Sequence, residues 1–198
     1  MARNILTVTA ALLFATAALA QETSKAPEMT PEQKKEMEAY MQAGTPGAPH
    51  QMMAATAGNY DIKVKSWHDP NAPATEETGT ATRKMILGGR VLVEDVNSTM
   101  MGSPFTGQGL RGYDNVTGKY WSLWMDSMST GMMTSEGTCD GKNACTFTGS
   151  WNDAVTKAPY KVRMTTRWTS PTTEVFEMFG PAKDGKEMKM MEITYTKK

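Results

Sequence analysis

Residues 160–168 read Tyr-Lys-Val-Arg-Met-Thr-Thr-Arg-Trp. Tyr160, Val162, Met164, Thr166 and Trp168 alternate with Lys161, Arg163, Thr165 and Arg167, the two-residue period of a strand with one dry face and one wet face. The same period recurs at both ends of the region. Tyr60, Ile62 and Val64 alternate with Asp61, Lys63 and Lys65, and Met191, Ile193 and Tyr195 alternate with Glu192, Thr194 and Thr196. Further strand candidates lie between them at 74–87, 89–101, 105–114, 119–129, 132–140, 144–154 and 173–180. Turn signals separate them: Gly88-Gly89, Gly102-Ser103-Pro104, Asp114-Asn115, Asp140-Gly141, Ser170-Pro171 and Asp184-Gly185.

This pattern predicts an all-β fold of about ten strands with short connections and no helix among them. Short connections make sequential strands antiparallel neighbours, hence a meander. A meander this long leaves two exposed edges unless it closes, so a β-barrel over 58–198 is the expectation. A barrel of that size has more interior than its own side chains fill. The outward positions are polar, unlike the apolar band of a membrane barrel. The fold expected is a soluble antiparallel barrel enclosing a cavity.

Upstream of Gly58 the pattern changes twice. Residues 1–20, MARNILTVTAALLFATAALA, combine a positive start at Arg3, an uncharged apolar run from Ile5 to Ala18, and the small-x-small site Ala18-Leu19-Ala20. This reads as a cleaved Sec-type signal peptide and places the mature chain in the periplasm or outside the cell. Gln21 follows the cut, so a lipid-modified cysteine is not indicated. Residues 21–57 form a tail with a short helical segment. Thr30 is a good N-cap, Pro31 suits the first helical position and Gln33 completes a capping box. Met37, Tyr40 and Met41 share a face of this helix, which ends near Gly44, and a second helical piece is expected from His50 to Thr56. The helical segment is placed to cap one mouth of the barrel.

Composition narrows the functional classes. The 198 residues carry 21 Lys+Arg and 21 Asp+Glu, so no broad basic surface for nucleic acid is expected. Two Cys and two His exclude a multi-cysteine zinc module. No later run is long and apolar enough to span a membrane. In an oxidising compartment Cys139 and Cys145, separated by the turn-like Asp-Gly-Lys-Asn-Ala, are expected to form a disulfide. A redox pair would need Cys-x-x-Cys spacing at a helix N-terminus, and neither condition is met.

Several motifs occur in one order. His50-Gln51-Met52-Met53 leads into Gly58-Asn59-Tyr60, and Gly88-Gly89-Arg90-Val91-Leu92 opens the third strand. Gly102-Ser103-Pro104-Phe105-Thr106-Gly107-Gln108-Gly109 follows, then Gly112-Tyr113-Asp114 and Trp124-Met125-Asp126-Ser127. Over about residues 48–198 the chain resembles the bacterial family catalogued as domain of unknown function 1579. The resemblance implies a calycin-like barrel related in shape to lipocalins and fatty-acid-binding proteins, and no assigned activity. Where the family usually has Trp in the Gly-x-Trp of the first strand, this chain has Tyr60. The aromatic plug is kept, but the indole N–H donor is lost.

The candidate site lies on the strands at 105–114 and 119–129. Tyr120, Ser122, Trp124, Asp126 and Met128 share one face, and Trp121, Leu123 and Met125 share the other, so both faces carry Trp. With the first face inward, Arg111, Tyr113, Trp124, Asp126 and Met128 make a ligand-binding wall, mostly apolar with a few polar groups. The competing reading makes the same residues cross-strand pairs and turn caps, Asp114 before Asn115 being a turn residue first.

The 18 methionines raise a second possibility. Clusters at Met52-Met53, Met100-Met101, Met125/Met128, Met132-Met133 and Met188/Met190-Met191 suit either adaptable packing, Cu(I) ligation or an oxidant sink. Haem would need an interior axial histidine, and neither His50 nor His68 reads as one. No nucleophile elbow, zinc-protease motif, phosphate loop or dinucleotide fingerprint occurs. The functional expectation is therefore an exported binding protein for a small, mainly apolar ligand, with no cofactor called for. A Met-based soft-metal or oxidant buffer is the first alternative, and an isomerase or hydratase on the same barrel is the second.

Overall fold

The computed structural model describes residues 28–182 and 184–198. The signal-peptide reading of residues 1–20 lies outside the described residues. Two helices, α1 (Pro31–Gly44) and α2 (Ala48–Ala55), precede ten strands. These are β1 (Gly58–Ser66), β2 (Thr75–Ile86), β3 (Val91–Met100), β4 (Ser103–Asp114), β5 (Lys119–Asp126), β6 (Met133–Cys139), β7 (Ala144–Asn152), β8 (Pro159–Ser170), β9 (Thr173–Pro181) and β10 (Glu187–Lys197). Each strand pairs antiparallel with the next, and β10 pairs back onto β1 with Ile62 opposite Tyr195, closing the barrel. Closure leaves the sheet no edge to aggregate through.

Alternation decides which side chains enter. Tyr60 and Ile62 of β1, Val162, Met164 and Thr166 of β8, and Tyr195 of β10 are buried, whereas Asp61, Lys63, Lys161, Arg167 and Thr196 face outward. The tight β2–β3 connection uses Gly88 and Gly89 at φ of 62° and 83°, a left-handed conformation that other residues adopt only at a cost. Cys139 and Cys145 stand directly opposite each other on β6 and β7 and form a disulfide. A loop this short gives about 2 kcal/mol in the chain-entropy account. Inside that turn Asp140 accepts the backbone N–H groups of Lys142, Asn143 and Ala144 through one carboxylate oxygen.

The two ends of the barrel differ. The turns after β2, β4, β6 and β8 lie at the end where α2 enters β1, and the remaining connections lie at the other end. Helix α2 seals its end. Met53 is buried against Leu92, Tyr120 and Phe147, an anchor worth about 1.5–3 kcal/mol. Lys197 donates to the carbonyl of Ala55 in the last turn of α2. Tyr60 is fully buried and its hydroxyl donates to the Thr56 carbonyl, so the first-strand aromatic ties barrel to plug without an indole N–H.

Helix α1 starts on both hydrogen bonds of the expected capping box, between Thr30 and Gln33. It buries none of its residues, and Met37, Tyr40 and Met41 are exposed. It is held by its C-terminal end. Arg90 donates twice to the Gly44 carbonyl, and the Asn115 amide donates to the carbonyls of Ala43 and Thr45. A guanidinium there also suits the negative end of the helix dipole. Among the described residues no helix is long and apolar enough to cross a membrane.

Candidate binding cavity

The barrel encloses a cavity of about 480 Å³. Its wall runs from Phe147 and Leu92, just above the α2 plug, to Met100, Met128 and Met132 at the opposite end, where Met128 and Met132 are exposed. The volume falls in the range that holds small ligands, about 300–1,000 Å³.

Strand β5 turns its Tyr120/Ser122/Trp124/Asp126 face inward. The deciding contacts are made by glycines on β4. Gly107 and Gly109 lie beneath the Trp124 indole, and a Cβ at Gly107 would come within 2.3 Å of the ring. Trp124 lies over that gap, stacked on Phe105 at 6.5 Å between ring centroids. Its Nε1–H donates to Asp126 at 2.8 Å, and the other Asp126 oxygen accepts the Met128 backbone N–H. Trp121 points the opposite way and covers Gly112, where a Cβ would meet the indole at 2.2 Å. The glycines of the Phe-x-Gly-x-Gly and Gly-Tyr-Asp motifs are thus seats for two tryptophans on opposite faces of one strand.

Four of the five expected wall residues line the cavity: Arg111, Trp124, Asp126 and Met128. Tyr113 does not. It shares the Arg111 face of β4, but it stands one inward position nearer the sealed end. There its ring packs edge-on against Tyr120 at 4.8 Å and against His50 of α2 at 5.9 Å. The plug therefore takes Tyr113 away from the cavity. Asp114 is the turn residue that its neighbour Asn115 suggests, accepting the Val116 N–H and the Thr117 hydroxyl.

Both histidines lie off the cavity wall. His50 is buried, and its Nδ1 accepts the Gly47 N–H at the start of α2; His68 is exposed. Of the doublet Met100-Met101, Met100 faces the cavity and Met101 solvent, whereas Met132 and Met133 both line the cavity.

Sequence reading missed the most polar part of the interior. Arg83 of β2 donates through Nε to Glu94 of β3 at 2.7 Å and through Nη1 to Glu174 of β9. The guanidinium lies against two phenol rings, 4.8 Å from the Tyr60 centroid and 4.4 Å from that of Tyr195. Burial opposes the charge on Arg83, but the carboxylates of Glu94 and Glu174 outweigh it and hold the group protonated well beyond its ordinary range. Burial also pushes the Tyr195 hydroxyl far above the usual phenol range, so it faces the cavity as a neutral O–H. A signal for the triad was present in the alternation. Arg83 falls at the inward position between Ala81 and Met85, Glu94 between Leu92 and Val96, and Glu174 two before Phe176.

The second interior cation is Arg111, opposite Ser122 in the β4–β5 register. Its guanidinium carbon lies 5.2 Å from the Phe147 ring centroid. Ser122 and Ser135 share a hydroxyl–hydroxyl hydrogen bond of 2.6 Å on the same wall.

Likeness to one solved structure supports the architecture. The crystal structure of Rv2717c from M. tuberculosis superposes with a TM-score of 0.59 at 11% identity, covering 77% of this chain and 98% of that one. A redesigned beta barrel, b11L5F_LGL, aligns with a TM-score of 0.39 at 14% identity over 74% of this chain and 94% of its own. No curated protein matches the sequence. The model of one family spans residues 45–197, from the approach to α2 to the end of β10, and so includes both the plug and the whole barrel. On that match the chain belongs to the family described as protein of unknown function DUF1579.

Proposed function

We propose that this chain is an exported binding protein that takes a small, mainly apolar ligand into the barrel. The observation that carries this reading is a cavity of about 480 Å³, plugged at one end by α2 and walled by Phe105, Phe147, Trp124, Phe176 and methionines. Each Å² of apolar ligand surface buried there contributes about 25 cal/mol, before the costs of association are subtracted. The leader-like residues 1–20 and the Cys139–Cys145 bond support export.

Native mass spectrometry of the protein purified from its own host tests the reading. The expected result is an added mass that is lost on denaturation, or, from an empty barrel, uptake of an apolar naphthalene-type fluorescent probe. Bare chain mass together with no probe uptake would overturn it.

The methionines favour one other reading. Met100, Met128, Met132, Met133 and Met191 all contribute to the cavity wall, and thioethers are soft ligands suited to Cu(I). Stoichiometric Cu(I) uptake that is lost when Met128 and Met132 are replaced by Leu supports this reading. Titration without uptake removes it.

A further inference from the structure

We infer that the ligand is an amphiphile with one anionic head group, which Arg111 receives at the deep end of the cavity while the apolar tail runs toward the methionine mouth. This inference rests on the binding reading above and specifies its ligand class.

The argument begins with two arginines that face the same interior. Arg83 is paired with two carboxylates, Glu94 and Glu174. Arg111 is not. Among the described residues no carboxylate stands within ion-pair distance of it, and its side chain makes no hydrogen bond; its defined neighbour is the face of Phe147. A guanidinium carries five N–H donors and cannot shed its charge, so leaving it unpaired on an apolar wall is unfavourable. The four acids of the wall all accept hydrogen bonds, and two of them are paired with a cation. Glu94 and Glu174 hold Arg83, Asp126 accepts from Trp124 and Met128, and Glu77 accepts the Met101 N–H. At the deep end a cation meets acids already paired with Arg83, whereas an anion meets open donors; the charges of Asp126 and Glu77 lie toward the mouth.

The neighbouring side chains suit the same head group. Ser122 is the cross-strand partner of Arg111, and its hydroxyl is paired with that of Ser135. One of the two hydroxyls uses its proton in that bond, which leaves the other O–H to donate. A carboxylate is matched by a planar guanidinium fork plus such a hydroxyl. Depth sets the direction of the ligand. Arg111 lies over Phe147, which packs on Met53 of the plug, while Met128 and Met132 stand exposed at the far end.

Three probes with the same twelve-carbon tail test this: dodecanoate, dodecanol and dodecyltrimethylammonium, titrated calorimetrically at one pH and salt concentration. The expected order in the wild-type protein has dodecanoate tightest, by about tenfold or more over dodecanol, as befits a charge-assisted hydrogen bond. In Arg111→Met that preference disappears, with dodecanoate binding no tighter than dodecanol. Equal binding of dodecanoate and dodecanol by the wild type, or a preference for the ammonium head, overturns the anionic assignment and leaves the binding reading standing. Failure of all three probes to bind overturns the binding reading itself. Should Arg111→Met not fold, the wild-type head-group series decides alone.

Discussion

The sealed end of the barrel and its open end are made of different chemistry. At the sealed end, α2 inserts Met53 into a cluster with Leu92, Tyr120 and Phe147, and Tyr60 ties β1 to the end of the helix. Nearby, one guanidinium links β2, β3 and β9 through two carboxylates. At the open end partly exposed thioethers stand among polar side chains such as Glu77, Ser98 and Ser129, and the Trp124 indole donates to Asp126. Arg111 apart, one end consists of satisfied, close-packed groups, and the other of adaptable apolar groups with few fixed partners. The difference separates two tasks, holding the barrel shut and leaving a surface that can receive a guest. Residues at the first end, Arg111 excepted, should therefore govern stability, and Arg111 together with residues at the second should govern affinity.

The largest effect expected is at Arg83. Replacing it with Met strands Glu94 and Glu174 in the interior and should cost about 3–5 kcal/mol, read from the urea midpoint. A loss below about 1 kcal/mol would break the contrast between the two ends. Next come Met128 and Met132, which are 59% and 56% exposed at the mouth. Changing both to Ser should shift stability by no more than about 0.5 kcal/mol each, yet weaken uptake of an apolar probe. A destabilisation matching that of Arg83→Met would place the structural core at the wrong end.

The smallest effect is at the turn that the disulfide closes. Backbone N–H groups of Lys142 and Ala144, with that of Asn143, hold the Asp140 carboxyl below its ordinary 3.8. A depressed carboxyl contributes stability that is complete above its unfolded value and is lost as pH falls through the folded one. The amides of Lys142, Asn143 and Ala144 should therefore keep their shifts at pH 5 (roughly one unit above the ordinary aspartate range) and move together only in stronger acid, as NMR would read. Independent movement of the three would show that the carboxylate is not their common acceptor.

Much of this architecture was legible in the sequence because it is local. Alternation of Tyr60, Ile62 and Val64, or of Val162, Met164 and Thr166, marks a strand and its dry face wherever the strand is placed. The capping box at Thr30 and the turn at Gly88-Gly89 likewise depend on a few adjacent residues. The candidate site was less legible. Trp121 and Trp124 lie on opposite faces of β5, and pattern alone could not choose between them. The choice was made by Gly107, Gly109 and Gly112 on the neighbouring strand. Tyr113 carries the same parity as Arg111, and only the docking of α2 separates the two.

The sequence by itself determined that the chain past Gly58 is an antiparallel ribbon of about ten short strands, since backbone pleating and turn chemistry act between near neighbours. It also determined that Cys139 and Cys145 would meet, because a turn of five residues joins them. The β2–β3 hairpin register sets Arg83 opposite Glu94, but tertiary structure alone decided that Arg83 would also find Glu174 and that Arg111 would find neither. The Glu174 partner is set by where β10 closes on β1 and which strands then face each other across the interior. Side chains 91 residues apart in the chain become neighbours only when the ribbon has closed into a cylinder, and no local pattern encodes that distance.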